Sequence, residues 1–347
     1  MNLYLFPALA SLDDGYGIAV ESDFRRCDPS DEDIVVWRNR YNNVKALYIK
    51  DKHYIIDQNP FISWRSIVNT LKRTNRSEIK CADLEFLKGK VFDKIFCGDV
   101  CYYNAIRKMF PNKEITVRFH NCFARIYERK RITNRHLDIM YSITLRNMYR
   151  LERKVMLDDN TKKIFISEED RAFYTSHFGK YLDSETWQIM PSKEKMESNQ
   201  KKVLNIRPLL VWFGGVDSHK KASIDWFINS VYSDVKKKVP EVEFHLYGAN
   251  TDKYNYPENK IFGHGLYKGD DNVPVKDALY INPDIIGGGV KMKLITYFEC
   301  GMPFISSIFG FEGFSQTLVD NKFCFVVEDD DWVDTIISLL KNNQTIV

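Results

Sequence analysis

Three consecutive glycines, Gly287 to Gly289, run into Val290, Lys291, Met292 and Lys293, and the whole stretch stands between two apolar runs, Ala278 to Ile281 and Phe304 to Ser307. Glycine lets a backbone turn sharply and meet an anion with its N–H groups alone, and a helix beginning directly afterwards aims its positive end at the same point. Two lysines in the first turn of such a helix oppose its dipole unless an anion stands beside them. The chemistry suited to this set is capture of a diphosphate by Gly287, Gly288, Gly289, Val290, Lys291 and Lys293. A second glycine turn, Gly214 and Gly215, follows the apolar run Leu209 to Phe213 and passes through VDSHKK, which contains Lys220, into a helical stretch.

The first half offers a smaller set. The run Asn2 to Leu9 enters SLDDGYG, where Gly15 and Gly17 would bring backbone close to a ligand and Asp13 or Asp14 would face an acceptor hydroxyl, act as a base, or cap the helix that follows. His120 stands directly after the strand-like EITVRF, at a strand end.

Positioning these groups requires a particular alternation. Strand-length apolar runs at Asn2–Leu9, Asp33–Trp37, His53–Ile56, Phe92–Cys97, Glu114–Phe119, Lys163–Ile166 and Thr186–Met190 alternate with helical segments. The charged stretch PSKEKMESNQKK, 191–202, reads as a linker, after which Leu209–Phe213, Val242–Tyr247, Ala278–Ile281, Phe304–Ser307 and Phe323–Val327 continue the pattern. The expected fold class is α/β: two Rossmann-like domains, 1–195 and 203–328, facing a cleft, with 329–347 a terminal helix. Ligands of such sheets sit at the carboxyl ends of the strands.

Order and spacing in the second half resemble the retaining family-4 glycosyltransferases of the GT-B fold: Asn282–Pro283, the glycines Gly287 to Gly289, Lys291 and Lys293, then Gly301 to Pro303. The resemblance implies a hexosyltransferase that moves sugar from a nucleotide diphosphate, UDP being the commonest, to a glycan or lipid-linked acceptor in bacterial surface polysaccharide synthesis, retaining the anomeric configuration. It assigns Lys220 to the donor diphosphate and His120 to the donor near its sugar and phosphate, and it implies that the terminal helix crosses back to the first domain. The chain departs from the family at three positions: Gly215 replaces a usual arginine, and Gly288 and Thr296 replace two glutamates, of which the second binds ribose hydroxyls. Glu299 lies one turn further along. Because of these departures, a non-catalytic partner of an active transferase and a nucleotide-sugar epimerase both stay open.

Composition narrows the rest. With 347 residues and 44% hydrophobic content, the chain can fill two cores. Its 50 basic against 47 acidic residues give a net charge of +3, so no nucleic-acid or membrane role follows from charge alone. Positive charge gathers between Arg125 and Lys154, with nine lysines and arginines against three acids, as a solvated face or a patch for anionic membrane or a lipid-pyrophosphate acceptor. Leu137, Met140, Thr144, Met148, Leu151 and Val155 recur there at helical spacing as a core face. The seven cysteines read as reduced thiols of a cytoplasmic protein. Cys97 and Cys101 lack a second ligand pair, and Asp329 to Asp331 read as a helix cap, so no metal is expected.

Overall fold

The first half builds a parallel sheet from β1 (Leu3–Phe6), β2 (Ile34–Asn39), β3 (His53–Asp57), β4 (Ile95–Cys97), β5 (Ile115–Phe119), β6 (Thr161–Phe165) and β7 (Ser184–Thr186), in the order β3-β2-β1-β4-β5-β6-β7. The second is also parallel: β8 (Leu209–Phe213), β9 (Glu243–Tyr247), β10 (Ile261–Gly263), β11 (Leu279–Asn282), β12 (Phe304–Ser307) and β13 (Cys324–Val327), ordered β10-β9-β8-β11-β12-β13. These features come from a computed structural model, in which residues 1–8, 15–39, 50–57, 78–133, 139–178, 184–199, 206–216, 218–269, 271–285, 290–314 and 318–341 are described. The chain divides into two units, Met1–Ile189 and Met190–Val347.

Near-continuous apolar strands demand cover on both faces. In the first unit Leu3, Leu5, Val36, Cys97, Val117 and Phe165 pack with the helices on one side, and Phe6, Val20, Trp37 and Ile164 form the core of the other. In the second, Leu210, Trp212, Phe244 and Leu246 meet Phe227, Val231 and Val235.

The stretch 191–202, expected as a linker, is in part a packed element. Lys193–Asn199 is a helix docked on the helix Met292–Cys300: Ser192 N donates to Glu299 Oε1 at 3.0 Å, Lys195 Nζ pairs with Glu299 Oε2 at 2.6 Å, and the buried Asn199 donates to the carbonyl of Glu299 at 2.8 Å. The apolar face of the terminal helix, Trp332–Lys341, made of Trp332, Ile336, Leu339 and Leu340, is built into the second unit's core beside Trp226 and Phe227. Burying a tryptophan and three aliphatic side chains there anchors it. Three-residue β10, too short to show period-2 alternation, was not visible in the sequence.

The basic region forms two helices, Phe123–Thr133 and Ile139–Met156. Met148, Leu151 and Val155 are buried as the spacing predicts, whereas Thr144 is half-buried and its neighbour Leu145 takes the core position; Leu137 lies outside the described residues, as does the side chain of Met140. Between the buried residues lies Glu152, fully buried, whose carboxylate accepts from Phe123 N at 3.1 Å and Ala124 N at 2.7 Å and so caps the first of the two helices from another part of the chain. Burial pushes its carboxyl up to about 8, outweighing the two N–H groups that favour the charged form.

A carboxyl raised on folding holds its proton longer in the folded chain, so its contribution to stability falls as pH climbs from the ordinary 4.5 to about 8. Glu152→Gln, which keeps an acceptor and removes the charge, should flatten that part of the melting-temperature profile relative to wild type. Parallel wild-type and variant profiles across this window would rule the assignment out.

Candidate active site

In each sheet the chain lays two strands to one side and then returns to the other side of the first, which places a switch point between β1 and β4 and another between β8 and β11. The carboxyl ends of β8 and β11 carry the second unit's charged cluster. After Asn282 at the end of β11 come Pro283 and Asp284, and Asp284 has no exposed surface. Lys220, in the first turn of the helix Ser218–Trp226, donates a short hydrogen bond from Nζ to Asp284 Oδ2. Lys293, second residue of the helix Met292–Cys300, brings its Nζ to 3.6 Å from the same oxygen and 3.4 Å from the centroid of the Trp212 ring on β8. That ring supplies a cation–π contact.

The backbone around Asp284 is fixed from two sides. Its carbonyl accepts from Ser307 Oγ at 2.5 Å, Ile285 N donates to Ser223 Oγ at 3.2 Å, and Ser307 Oγ in turn accepts from Gly310 N at 2.8 Å. Trp212 is held by its indole N–H on Gly214 O at 2.7 Å, and Tyr297, one turn beyond Lys293, donates to Phe213 O at 3.4 Å. Burial opposes ionisation of Asp284, and the ammonium groups of Lys220, Lys293 and Lys291 more than offset it, so its carboxyl lies well below the usual carboxylate range. For Lys293 the balance is reversed: desolvation, helped by Lys220 and Lys291, brings its ammonium well below the ordinary lysine value despite Asp284.

Of the residues expected at the site, the structure brings together Lys220 and Lys293, with Lys291 near enough to act on Asp284 through its charge. Lys291 is itself mostly buried, its Nζ 4.9 Å from the Phe309 ring centroid. Val290 is buried and Thr296 half-buried. Gly287, Gly288, Gly289 and Asp14 lie outside the described residues. Gly15 and Gly17 stand in the first turn of the helix Gly15–Cys27, not in the loop that precedes it.

Gly214, in the second glycine turn, does not present a bare amide: its N–H donates to Tyr247 O at 2.8 Å, and Val216 N donates to Ala249 O at 2.8 Å. The reason for glycine here is steric: Gly214 adopts φ +150°, and a Cβ on the facing Gly248 would stand 2.3 Å from Gly214 O. Gly215 packs on Ala249 in the same crossing. His120 stands at a strand end as the sequence reads, and its side chain is only 2% exposed, with Nε2 3.2 Å from Asp23 Oδ2. Arg118, on the same face of β5, binds that oxygen through Nε at 3.0 Å and the carbonyls of Phe165 and Trp187 through its other nitrogens. Burying Arg118 requires a carboxylate, and His120 closes over the pair.

Asp284 itself was missed. An Asp after Asn-Pro reads as turn chemistry, and nothing local reveals that two lysines, 64 residues before it and nine after, converge on it. Glu299, one turn beyond Thr296, is engaged with Lys195 and Ser192 N. Among the described residues no group of three His, Cys, Asp or Glu is placed to hold a metal ion.

Residues 207–342 match the family model Glycosyl transferases group 1, and no curated protein matches the chain. Among solved structures, WaaG, a glycosyltransferase involved in lipopolysaccharide biosynthesis, aligns with 99% of this chain and 90% of its own at TM-score 0.59 and 11% identity. The chain has the GT-B fold. An E. coli structure described as trehalose-6-phosphate bound with UDP-2-fluoro glucose aligns with 100% of this chain and 92% of its own at TM-score 0.58 and 11% identity. TarM aligns at 0.56 and 16% identity over 77% of this chain, which spans 52% of TarM's length.

Within this GT-B chain, Asp284 carries the charge balance of its cluster. Asp284→Ala should destabilise the protein by about 3–5 kcal/mol, because removing one partner of a buried ion pair leaves the other charge uncompensated. Urea unfolding checks this; a loss near that of a surface substitution would show that the lysines do not need the carboxylate.

Proposed function

We propose that this chain is a glycosyltransferase that moves a hexose-type sugar from a nucleotide diphosphate, with UDP as the expected nucleotide, and that Lys220, Lys293 and Lys291 receive the diphosphate. The carrying observation is the convergence of Lys220 and Lys293 on Asp284 at the β8/β11 switch point, where α/β sheets take their ligands. As the glycosidic bond breaks, negative charge accumulates on the leaving diphosphate. Ammonium groups already held in place stabilise that charge most in the transition state, and three of them supply positive charge without a divalent metal. The match of residues 207–342 to a glycosyltransferase family model supports the same reading.

For the acceptor we favour a glycan or lipid-linked saccharide of a bacterial surface polymer. Support comes from WaaG, described as acting in lipopolysaccharide biosynthesis, and from exposed Arg146, Arg153 and Lys154 on the helix Ile139–Met156, a surface suited to an anionic membrane or lipid pyrophosphate. No helix among the described residues is long and apolar enough to cross a membrane, so contact would be peripheral. Retention of configuration is proposed from the family resemblance. A second reading, a non-catalytic GT-B partner, is favoured by Thr296 standing where a carboxylate is usual while Glu299 is held by Lys195.

Incubation of the pure protein with a panel of nucleotide sugars separates the two. Nucleotide release supports the transferase; silence across the panel together with no thermal shift from UDP or GDP favours the partner. Within the transferase reading, Lys220→Ala and Lys293→Ala should each weaken UDP binding by about 1.5–3 kcal/mol, the range for a hydrogen bond to a charged group. Unchanged calorimetric affinity in both would remove the diphosphate from this site.

A further inference from the structure

Among the described residues two arginines are buried, Arg38 and Arg118, and both lie in the first unit. They are held very differently. Arg118 has the Asp23 carboxylate and two backbone carbonyls. Arg38, 4% exposed, pairs with no carboxylate among the described residues: its Nη1 donates to the Cys101 thiol at 3.6 Å, a weak acceptor, and its buried Nε meets no acceptor. A guanidinium keeps its charge, and burying one without a counter-charge is costly.

The place of Arg38 explains why that cost is carried. It is the penultimate residue of β2, level with the chain leaving β1, since Trp37 pairs with Phe6. Cys101 lies in the short turn Val100–Tyr102 that follows β4. The order β2-β1-β4 sets those two outer strands two spacings apart, about 10 Å, so the side chain reaches across the carboxyl end of β1. That is the first unit's switch point, where such sheets take ligands. Its walls are fixed: Gly98 N donates to Leu5 O at 2.7 Å, Tyr102 Oη donates to Phe6 O at 2.8 Å, and Asp99 turns Oδ1 to Cys101 N at 2.8 Å. We propose that Arg38 is an oxyanion-binding residue, its planar fork receiving a phosphate, diphosphate or carboxylate group. Which molecule brings that group rests on the transferase reading. The donor diphosphate goes to the lysines of the second unit, so the anion at Arg38 belongs to the acceptor, a saccharide that is acidic or linked through phosphate. A neutral sugar would leave the guanidinium uncompensated.

Thermal unfolding of the whole chain tests this, with inorganic phosphate, inorganic pyrophosphate and glucuronate titrated at matched ionic strength into wild type, Arg38→Met and Arg38→Lys. Phosphates also meet the lysines of the second unit, so the quantity read is the part of the anion-induced rise in melting temperature that Arg38→Met abolishes. At least one probe should show such a part, and Arg38→Lys, which keeps the charge and loses the fork, should retain a fraction of it. A larger part with phosphate or pyrophosphate marks a phosphate-linked acceptor, and a larger part with glucuronate marks an acidic sugar. Without added anion, Arg38→Met should melt at or above wild type because it removes a charge that lacks a partner. Arg118→Met should melt lower, since it leaves Asp23 without its arginine. Anion-induced shifts equal in wild type and Arg38→Met for all three probes, or an Arg38→Met that melts as far below wild type as Arg118→Met, overturn this inference and leave the transferase reading to nucleotide release. An Arg38-dependent shift combined with silence in the nucleotide-sugar panel keeps the oxyanion site and removes its assignment to an acceptor.

Discussion

A carboxylate with no exposed surface, surrounded by three lysines, is the constraint around which the second unit is arranged. Taking any of these charges out of water is costly by itself, and the cost is met only when the partners are held in a fixed geometry. That geometry draws on distant parts of the chain: Lys220 from the helix after β8, Asp284 from the end of β11, Lys293 from the next helix, and Trp212 from inside β8. Ser223 and Ser307 hold the backbone on either side of Asp284. The cluster therefore exists only once β8 and β11 are paired and both following helices have docked.

Glycine serves two different ends in this region. At Gly214 and Gly248 the need is backbone against backbone, since the loops after β8 and β9 touch with no room for a Cβ and the amides of Gly214 and Val216 donate to the carbonyls of Tyr247 and Ala249. At Gly310 a Cβ would meet Asn282 Nδ2 at 2.3 Å, a crowding that keeps β12 and its short helix against the end of β11. Glycines near strand ends are thus no proof of an anion loop, and the case for a phosphate site rests on the lysines and their positions. Gly301 adds a third use: it closes the Met292–Cys300 helix at φ +65°, where a side chain would also press on Asn199.

The first unit repeats the physics with another cast. Arg118, Asp23 and His120 form a buried group at the end of β5, and Glu152 caps the adjoining helix through two backbone amides. Both arrangements place ionisable side chains close to strand ends while keeping them inside. In this unit they brace loops.

Alternation of apolar runs with helical segments already determined two parallel sheets, because strands buried on both faces must be apolar throughout and the intervening helices must be amphipathic. It located Leu209–Phe213 and Phe304–Ser307 to the residue, and it singled out Lys293 for its place in the first turn of a helix after a glycine run, while Lys220 was singled out by the family resemblance. Three things were decided only by tertiary structure: that Asp284 unites those lysines, that His120 faces inward to Asp23, and that 193–199 is a docked helix while 332–341 completes the second core. Each depends on contacts between residues far apart in sequence, which local pattern does not encode, and each is settled by the need to pair a buried charge or cover an apolar face.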